Sequence, residues 1–400
     1  MKSTNGHSQK KHYLCDINKT IYKGPMKYIV TSTLLYSRLQ TVDRVITQKN
    51  STPILKCFLF RFQDGILEVT ATDNDTTLQC HIPLVESDSN TSFAVPARQL
   101  LDILKEIPEQ PLTIEFNPTT LQIDIIYQSG HFCLQTEQGD VFPMLKEYTE
   151  EGHEITIRAN HLSRSFGSAI IAASVDESRK VMSGLFIDIT PQDVSVVASD
   201  GHKLVCFKII CDTKNTTTNF VLPRKPATLL RSIIDKQQGD VILRTFADGS
   251  AVIEAEPYTM TCRLLQEKYP NYRNVIPQSN NNIATIDKAS LLGSVRRVLV
   301  ASDKATSLIK FTFEPGKVTL MTENVNYAQS AEEKLVCQYE GIPLRIGFRG
   351  DYLLDLLNNI QSSDVILKLS DPSKAGLILP SEQEEGTDVI MLLMPLLIAN

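Results

Sequence analysis

A threefold internal repeat constrains this chain of 400 residues more than any other feature of its sequence. Three stretches carry apolar residues at helical spacing, and they begin at Thr31, Arg158 and Asp287. Each is followed by two alternating strand patterns with turn residues between them, and then by a second short amphipathic stretch. The landmarks recur about every 125 residues, which is the length of a domain and exceeds that of a solenoid repeat. The chain is therefore predicted to consist of three similar domains.

The repeat predicts an α+β fold in which each domain packs two helices on antiparallel sheets. We expect these domains at residues 26–150, 151–281 and 282–400. Residues 1–25 lie outside the repeat and show no clear periodicity, so we expect them to form a disordered N-terminal extension.

The composition is that of a soluble globular protein, with 42% hydrophobic and 22% charged residues. No apolar run reaches the roughly 18–20 residues of a membrane-spanning helix, and the polar start of the chain lacks the apolar core of a signal peptide. We therefore expect a cytoplasmic protein without a membrane partner. The eight cysteines are scattered singly, without a CxxC pair, so we expect reduced core residues and no metal site.

The formal net charge of −6 and the pI of about 5.7 argue against a surface that is basic throughout, as in many nucleic-acid-binding proteins. Lysine and arginine are nevertheless concentrated in the helical stretches, where aspartates offset only some of them. The helical surface is thus predicted to be modestly positive, and most of the acidic residues are expected on strands and loops.

Six short motifs occur in one order along the chain: STPIL at Ser51, VPAR at Val95, SDGHKL at Ser199, LPRK at Leu222, YPNYRNVIP at Tyr269, and GDYLLDLLN at Gly350 with the terminal LMPL. Through these motifs, residues 26–398 resemble the bacterial DNA polymerase III beta subunit, the sliding clamp. The resemblance implies three clamp-type domains per chain. It also implies a head-to-tail homodimer that forms a six-domain ring, with helices lining the hole and sheets forming the outer wall.

The resemblance further implies a non-catalytic processivity factor that encircles duplex DNA and tethers the replicative polymerase. Its implied partners are double-stranded DNA of any sequence, a second copy of the chain, the catalytic subunit of the replicative polymerase, a clamp loader and other proteins with a short clamp-binding motif. No cofactor is implied. Because a ring holds DNA by topology, a few cations on flexible stems suffice, and weak, salt-sensitive contacts permit sliding.

A cleft between the second and third domains is implied as the site for partner peptides. An apolar pocket with a polar rim binds short motifs with apolar anchors, and methionine adapts to varied shapes. Leu396 stands where the family has a flexible methionine, and Asn274 stands where it often has arginine. The alternative is that the run MLLMPLL is only a buried terminal strand. The residues implied for the cleft are Met182, Ser199, Gly201, His202, Lys203, Leu204, Pro270, Asn274, Val275, Arg349, Tyr352, Leu392, Leu393, Met394, Pro395 and Leu396.

A group of cations is implied to face DNA. Lys49 lies in the segment TQKNST, which replaces a glycine-rich loop of some relatives, so its reach to DNA could differ from theirs. A solvated surface charge is the ordinary role of any single lysine or arginine, so the hypothesis rests on the group. Its members are Lys49, Arg98, Arg158, Arg224, Lys225 and Arg297.

The contact between two copies is implied to bring Phe132 and Leu134 of the first domain near Leu299 and Val300 of the third. Strand pairing there would continue the outer sheets and remove exposed strand edges. Apolar residues alone do not distinguish such an interface from an ordinary core, so both roles stay open for these four positions.

An enzymatic function is not expected from the motifs. The SDGH string at Ser199 contains acid–base residue types, but Asp-Gly is a turn signal, and a catalytic triad requires spatial evidence. The nearest string to a phosphate-binding loop, EPGKV, fails in length and ends in valine, and GxGxxG, HExxH and GxSxG do not occur. A protein-interaction scaffold that does not bind DNA is the alternative function.

Overall fold

The structure is a computed structural model that describes residues 25–47, 49–143, 146, 148 and 152–398. The extension predicted for residues 1–25 lies outside the described residues except for Pro25. The predicted domain ranges serve below as names: unit 1 is 26–150, unit 2 is 151–281 and unit 3 is 282–400. Among the helices of the described ranges, none combines the length and the apolar character that crossing a membrane requires.

Within the described residues each unit contains two α-helices at the predicted positions, and each of them begins directly after a strand or, for the second helix of unit 2, one residue later. The apolar spacing in the first helix of each unit places one face in the core, where Leu35, Leu162 and Leu291 are fully buried. The helices are α1 (Ser32–Val42), α2 (Ala97–Glu106), α3 (Ala159–Ala169), α4 (Arg224–Ile234), α5 (Lys288–Leu299) and α6 (Gly350–Asn358).

The predicted hairpins form as antiparallel strand pairs in all three units. Gly65 and Gly316 in their turns have φ of +79° and +82°, a backbone region that glycine adopts without steric cost. The strands of unit 1 are β1 (Met26–Thr31), β2 (Cys57–Gln63), β3 (Ile66–Thr72), β4 (Thr76–Pro83), β5 (Glu86–Ser87), β6 (Thr91–Pro96), β7 (Pro111–Asn117), β8 (Gln122–Tyr127), β9 (Gly130–Gln135) and β10 (Glu137–Gln138).

The other two units repeat this order of strands and helices. In unit 2 the strands are β11 (His153–Arg158), β12 (Leu185–Ile189), β13 (Asp193–Ser199), β14 (Lys203–Ile210), β15 (Thr218–Leu222), β16 (Asp240–Thr245), β17 (Ser250–Ala255) and β18 (Tyr258–Arg263). In unit 3 they are β19 (Asn282–Asp287), β20 (Leu308–Glu314), β21 (Lys317–Asn324), β22 (Gln329–Val336), β23 (Gln338–Glu340), β24 (Leu344–Arg349), β25 (Asp364–Leu369), β26 (Gly376–Pro380), β27 (Thr387–Leu393) and β28 (Pro395–Leu396).

Two nine-stranded sheets cross the boundaries between units. One has the order β10-β6-β2-β3-β4-β18-β17-β16-β11, and the other has the order β15-β12-β13-β14-β27-β26-β25-β19-β23. Units 1 and 2 are thus joined where β4 pairs with β18, and units 2 and 3 where β14 pairs with β27. We call these junctions the 1–2 seam and the 2–3 seam.

Two five-stranded sheets, one at each end of the chain, have the orders β5-β1-β7-β8-β9 and β22-β21-β20-β24-β28. Strand β9 follows β7 and β8 in unit 1 as β18 follows β16 and β17 in unit 2. Strand β22 follows β20 and β21 in unit 3 as β4 follows β2 and β3 in unit 1. Both therefore hold the positions that pair at the two seams, yet no strand of the described residues pairs with their outer edges.

Charge is distributed between helices and the rest of the chain as the sequence predicted. The six α-helices carry ten lysine and arginine residues against four aspartate and glutamate residues, a net charge of +6. Because the whole chain has a net charge of −6, the residues outside these helices together hold a clear excess of acid.

The cysteine prediction is correct for most positions and wrong for two. All seven cysteines of the described residues are free, and five of them are buried. Cys133 is exposed because it lies on the outward face of the edge strand β9, and Cys211 is half-buried just beyond the end of β14. Cys15 lies outside the described residues. Among those residues, no cluster of three or more histidine, cysteine or acidic side chains could hold a metal ion.

Candidate functional site

The turn between β13 and β14 forms one wall of the predicted cleft. The Asp200 carboxylate accepts hydrogen bonds from the backbone N–H groups of His202 and Lys203, each at 2.8 Å. The Ser199 hydroxyl donates to the Lys203 carbonyl at 3.0 Å and accepts from the Gly201 N–H at 3.1 Å. Gly201 has a φ of +90°, which a side chain would disfavour. The SDGHK string is therefore a rigid turn, as the Asp-Gly signal predicted.

Lys203 connects this turn to the third unit. Its side chain is only 6% exposed, and its Nζ lies 2.6 Å from the Asp355 carboxylate on α6. The same Nζ lies 4.5 Å from the centre of the Tyr352 ring, within the range of a cation–π contact. Because a largely buried ammonium needs a compensating charge, this contact fixes α6 against β14. Sequence reasoning identified Lys203 and Tyr352 but missed Asp355, whose place in the apolar string LLDLL indicated only an exposed helix position.

A second cation, Arg349, also lies close to the Tyr352 ring. The Arg349 guanidinium is 4.8 Å from the Tyr352 ring centre, and its Nε donates to the Asp351 carboxylate at 2.9 Å. That hydrogen bond raises the pKa of Arg349, with a smaller contribution from Asp200 of unit 2. The 2–3 seam therefore has a charged rim in which each cation has an acidic partner, while the His202 ring lies 6.1 Å from Tyr352.

The C-terminal strand supplies the other wall. Strand β27 pairs with β14 so that Leu392 lies opposite Leu204 and Leu393 opposite Lys203. The ladder continues one step further, because the Met394 N–H donates to the His202 carbonyl at 2.8 Å. Met394 is 39% exposed, whereas Leu393 is fully buried. The run MLLMPLL is thus a buried strand up to Leu393, followed by a partly exposed apolar segment in which Met394 and Leu397 are accessible.

The last residues then join a different sheet. Pro395 and Leu396 pair with Phe348 and Gly347 of β24, so both are half-buried. Leu396 is therefore held by strand pairing within the third unit.

An apolar cluster on the outer face of the sheet forms the floor of the cleft. Leu204 and Leu392 are 2% and 3% exposed there, and Tyr272 covers them together with the half-buried Ile276. Val275 is 52% exposed at the rim of this cluster. Tyr272 was not predicted for the cleft, although it lies in the YPNYRNVIP motif that carried the resemblance.

The remaining predicted cleft residues lie on the unit 2 side. Met182 packs against a small cluster that includes Tyr269 and Val221, next to the stacked pair of Phe186 and Tyr269, whose ring centres are 4.8 Å apart. Pro270 and Asn274 are exposed. Pro270 also lines a groove of about 960 Å³ between β15 and residues 264–273. This groove lies beside the predicted cleft and shares little of its lining.

The corresponding position at the 1–2 seam is polar. There the outward-facing pair on β4 and β18 is Thr77 opposite Thr261, whereas the 2–3 seam has Leu204 opposite Leu392. Both threonines are half-buried. Two methyl groups flanked by hydroxyls provide far less apolar surface than two leucines, so only the 2–3 seam has an apolar floor.

Two of the cations predicted to face DNA lie at the 1–2 seam. Arg224 and Lys225 begin α4 and line a shallow cavity of about 520 Å³ with Arg44. Lys225 is engaged across the seam, because its Nζ donates to the Val45 carbonyl at 2.9 Å and to the Asp73 carboxylate. Arg224 donates to the Ala173 carbonyl at 3.3 Å, but neither Arg224 nor Arg44 has an acidic partner within the described residues, so both charges remain able to meet an anion.

The other four predicted cations differ in their surroundings. Lys49 and Arg158 are exposed, and Arg98 is 76% exposed with its Nε 3.8 Å from Asp102 on the same helix. Arg297 is bound to Glu333 of β22 through two hydrogen bonds, at 2.6 and 2.7 Å, which lower the pKa of that carboxyl to about 2. The structure thus does not bring all six cations together as one free surface.

Two of the four residues predicted for the contact between copies lie on the edge strand β9, and the other two lie at the end of α5. Phe132 on β9 is 39% exposed and stacks on Tyr127, and Leu134 is half-buried. Leu299 ends α5 and packs on the core, whereas Val300 directly after it is 77% exposed. Phe132 and Val300 are therefore accessible, and Leu134 and Leu299 contribute to the core of their own unit.

Three sequence families match successive parts of the chain. They are described as the N-terminal, central and C-terminal domains of the DNA polymerase III beta subunit, and they match residues 26–146, 156–271 and 273–394. Together these matches account for most of the chain. The chain belongs to the DNA polymerase III beta subunit family.

Individual members of the family agree with this assignment. The beta sliding clamp of Pseudomonas putida is 24% identical over 367 residues, which are 92% of this chain and 99% of that protein. The beta sliding clamp of Haemophilus influenzae is also 24% identical, over 368 residues, with the same shares of each chain.

Solved structures have the same fold. A sliding clamp from Pseudomonas aeruginosa bound to griselimycin superposes with a TM-score of 0.88 at 24% identity, covering 94% of this chain and all of that one. A sliding clamp from Bartonella birtlesii, also bound to griselimycin, gives 0.86 at 25% identity with the same coverage. The three-unit α+β architecture predicted from the repeat is therefore confirmed.

Proposed function

We propose that this chain is a sliding clamp that closes, as a head-to-tail dimer, into a ring of six units around duplex DNA. The observation that carries the proposal is that the outer edges of β9 and β22 pair with no strand of the described residues, although both strands hold the positions that pair at the internal seams. Two copies joined through these strands would leave neither edge exposed. Such a ring tethers the replicative polymerase and is opened by a clamp loader.

The helices supply the surface that would face DNA. Their net charge of +6 contrasts with the acidic remainder of the chain, so a duplex inside a helix-lined hole meets weak positive charge. Arg44 and Arg224 at the 1–2 seam, with Lys49 and Arg158, are the residues we assign to DNA. Lys225 and Arg297 serve mainly structural contacts, with Asp73 and Glu333 respectively.

The cleft at the 2–3 seam is the site that we assign to partner peptides and to griselimycin, the ligand named for two structurally similar clamps. Its exposed apolar groups, Met394 and Val275, surround the buried floor of Leu204 and Leu392. Since the 1–2 seam carries Thr77 and Thr261 at the equivalent positions, only the 2–3 seam offers a cleft of this kind within the part of the chain that the structure describes.

The chain performs no catalysis in this proposal, and it acts in the cytoplasm, where replication takes place in bacteria. The turn residues Ser199, Asp200 and His202 hold the cleft wall through backbone hydrogen bonds, which accounts for their presence without an acid–base role. The alternative of a scaffold that does not bind DNA is tested by the same experiment as the ring.

The test is retention on circular DNA. Loaded by a clamp loader onto a nicked circle, the protein should remain bound during gel filtration and should be lost once the circle is cut at one site. A double variant, Arg44→Glu with Arg224→Glu, should load less efficiently but still run off only cut circles, because topology does not depend on those charges. Equal retention on circular and cut DNA, or no retention on either, would refute the ring.

A further inference from the structure

We propose that two copies of this chain join in the register that the two internal seams share, so that Phe132 of one copy lies opposite Ala331 of the other, and that Arg98 of the first copy pairs with Asp303 of the second. This inference rests on the proposed ring and specifies its contact between copies. It follows from the threefold repeat, because three seams built from equivalent elements share one strand register.

The register of the internal seams is identical. At the 1–2 seam Met260 of β18 lies opposite Leu78 of β4, and at the 2–3 seam Met391 of β27 lies opposite Val205 of β14. In both cases the methionine is also paired within its own unit with an isoleucine, Ile253 or Ile378. This isoleucine identifies the same position in unit 1.

In unit 1 the equivalent of the methionine is Phe132. Ile125 of β8 lies opposite Ile114 of β7, just as Ile253 lies opposite Leu243 in unit 2. The residue that Ile125 faces on β9 is Phe132. Phe132 therefore holds the position of Met260, and it is 39% exposed because its cross-strand neighbour is missing within one chain.

In unit 3 the equivalent of Leu78 is Ala331. The hairpin pair Thr72–Thr77 of unit 1 corresponds to Glu323–Ser330 of unit 3, with two additional residues in the turn. The next residue along the strand is Leu78 in unit 1 and Ala331 in unit 3. A phenylalanine opposite an alanine thus replaces a methionine opposite a leucine, which conserves the combined size of the pair.

The same register places Cys133 of one copy opposite Ser330 of the other. At the 2–3 seam the equivalent residues are Leu392 and Leu204. Two residues away, the Met394 N–H donates to the His202 carbonyl, and hydrogen-bonded pairs recur at every second residue of an antiparallel ladder. Leu392 and Leu204 therefore form a hydrogen-bonded pair. Cα atoms in such a pair are about 5.5 Å apart, a distance that a disulfide can span.

An ionic contact accompanies the strands at the 1–2 seam. Lys225, the second residue of α4, approaches the end of the α1 segment at the Val45 carbonyl and at the Thr47 hydroxyl, and it binds Asp73 of the β3–β4 turn. By the alignment of VPAR with LPRK, the residue of α2 equivalent to Lys225 is Arg98.

In unit 3 the acidic residue that would bind this cation does not lie at the position of Asp73. The chain makes the same short turn after α1 and after α5. In the first turn the Ile46 N–H donates to the Asp43 carbonyl, and in the second the Ser302 N–H donates to the Leu299 carbonyl. Ser302 is thus equivalent to Ile46, and the next residue, Asp303, is equivalent to Thr47. Asn324 stands in place of Asp73, by the same hairpin alignment. Unit 3 therefore carries its carboxylate at the helix end, and the cation that meets it in a second copy is Arg98.

The geometry of Asp303 fits this role. Its Oδ1 accepts hydrogen bonds from the N–H groups of Ala305 and Thr306, each at 3.0 Å, which holds the carboxylate in place. Its Oδ2 makes no hydrogen bond within the described ranges. Exposed Val300, Val325 and Tyr327 lie on the adjoining elements of unit 3, an apolar surface that a second copy would cover.

The register is tested by cross-linking the full-length protein. Ser330→Cys, with the native Cys133, should give a covalent dimer on mild oxidation with copper phenanthroline, seen on a non-reducing gel and lost when Cys133 is changed to serine. Lys334→Cys on the same strand face is the matched control and should cross-link far less. A dimer by sedimentation without the Ser330→Cys cross-link, or with equal cross-linking of the control, would overturn the register while leaving the ring intact. A monomer at micromolar concentration would instead refute the ring.

The ionic contact is tested by charge exchange. Arg98→Glu should raise the dimer Kd at least about tenfold, because both contacts of the ring change from attraction to repulsion. The double variant Arg98→Glu with Asp303→Arg should recover most of the lost affinity, and Arg44→Glu should leave the Kd unchanged. An unchanged Kd for Arg98→Glu, or no recovery in the double variant, would overturn the pairing of Arg98 with Asp303.

Discussion

Replacing Met394 by alanine tests the cleft most directly, because its side chain is an accessible apolar group that directly follows the buried strand β27. Met394 is 39% exposed in the free chain, so about two-fifths of its side chain is available for a ligand to cover. Complete burial of a methionine side chain contributes about 1.5–3 kcal/mol. The variant should therefore lose about 0.6–1.2 kcal/mol of binding free energy, a three- to sevenfold increase in Kd.

Isothermal titration with griselimycin, or with a peptide that carries a clamp-binding motif, measures this change. The fold should be unaffected, because the hydrogen bond from the residue 394 N–H to the His202 carbonyl uses only the backbone. Ile342→Ala is the matched control, since Ile342 is 69% exposed in unit 3 away from the cleft, and it should bind as the parent does. If Met394→Ala binds both ligands with an unchanged Kd, or if the control weakens equally, the cleft assignment is refuted.

Three further predictions concern charged groups. Asp355→Asn should lower the free energy of unfolding by about 1–3 kcal/mol in urea titrations, since it leaves the buried Lys203 ammonium unpaired, whereas Lys203→Met should cost less. The reverse order would contradict the pairing of Lys203 with Asp355. Arg224→Ala should lower the number of counterions released on DNA binding by about one, measured as the slope of log K against log salt concentration. Lys225→Ala should leave that slope unchanged, because Lys225 is bound to Asp73. The pKa of Glu333 is lowered from 4.5 to about 2 by Arg297, so its stabilisation is present above pH 4.5 and is lost as the pH falls towards 2. Arg297→Gln should therefore be destabilised relative to the parent at pH 7 and equal to it near pH 2, and a constant difference would show that the pair contributes nothing.

Much of the fold could be predicted because its signals are local and repeated. Hydrophobic spacing located the first helix of each unit, and turn residues located the hairpins, so that Leu35, Leu162 and Val295 fall in the core as expected, whereas Leu292 and Leu299 are only half-buried. The pairing of β4 with β18 and of β14 with β27 could not be predicted from local pattern, since strand partners far apart in sequence leave no periodic signal.

The candidate site was predicted through motifs, and the motifs do not contain its charge partners. Lys203 stood in SDGHKL, but its partner Asp355 lies 152 residues away in a second unit. Lys225 and Arg297 were grouped with DNA-facing cations because a sequence shows the charge of a residue and not its neighbour. Asp73 and Glu333, which bind them, belong to strands and turns where an acid carries no signal of its own.

The continuity of the nine-stranded sheets determines where this chain can be divided. A cut between units 2 and 3 would strip β14 of its partner from Lys203 to Ile209, and the backbone donors and acceptors of a long apolar strand would then be open to any other chain. Single units expressed alone are therefore poor substitutes for the whole molecule. Tags and insertions are better placed in hairpin turns such as the one at Gly316, which joins β20 to β21 within unit 3 and takes no part in the strand pairing between units.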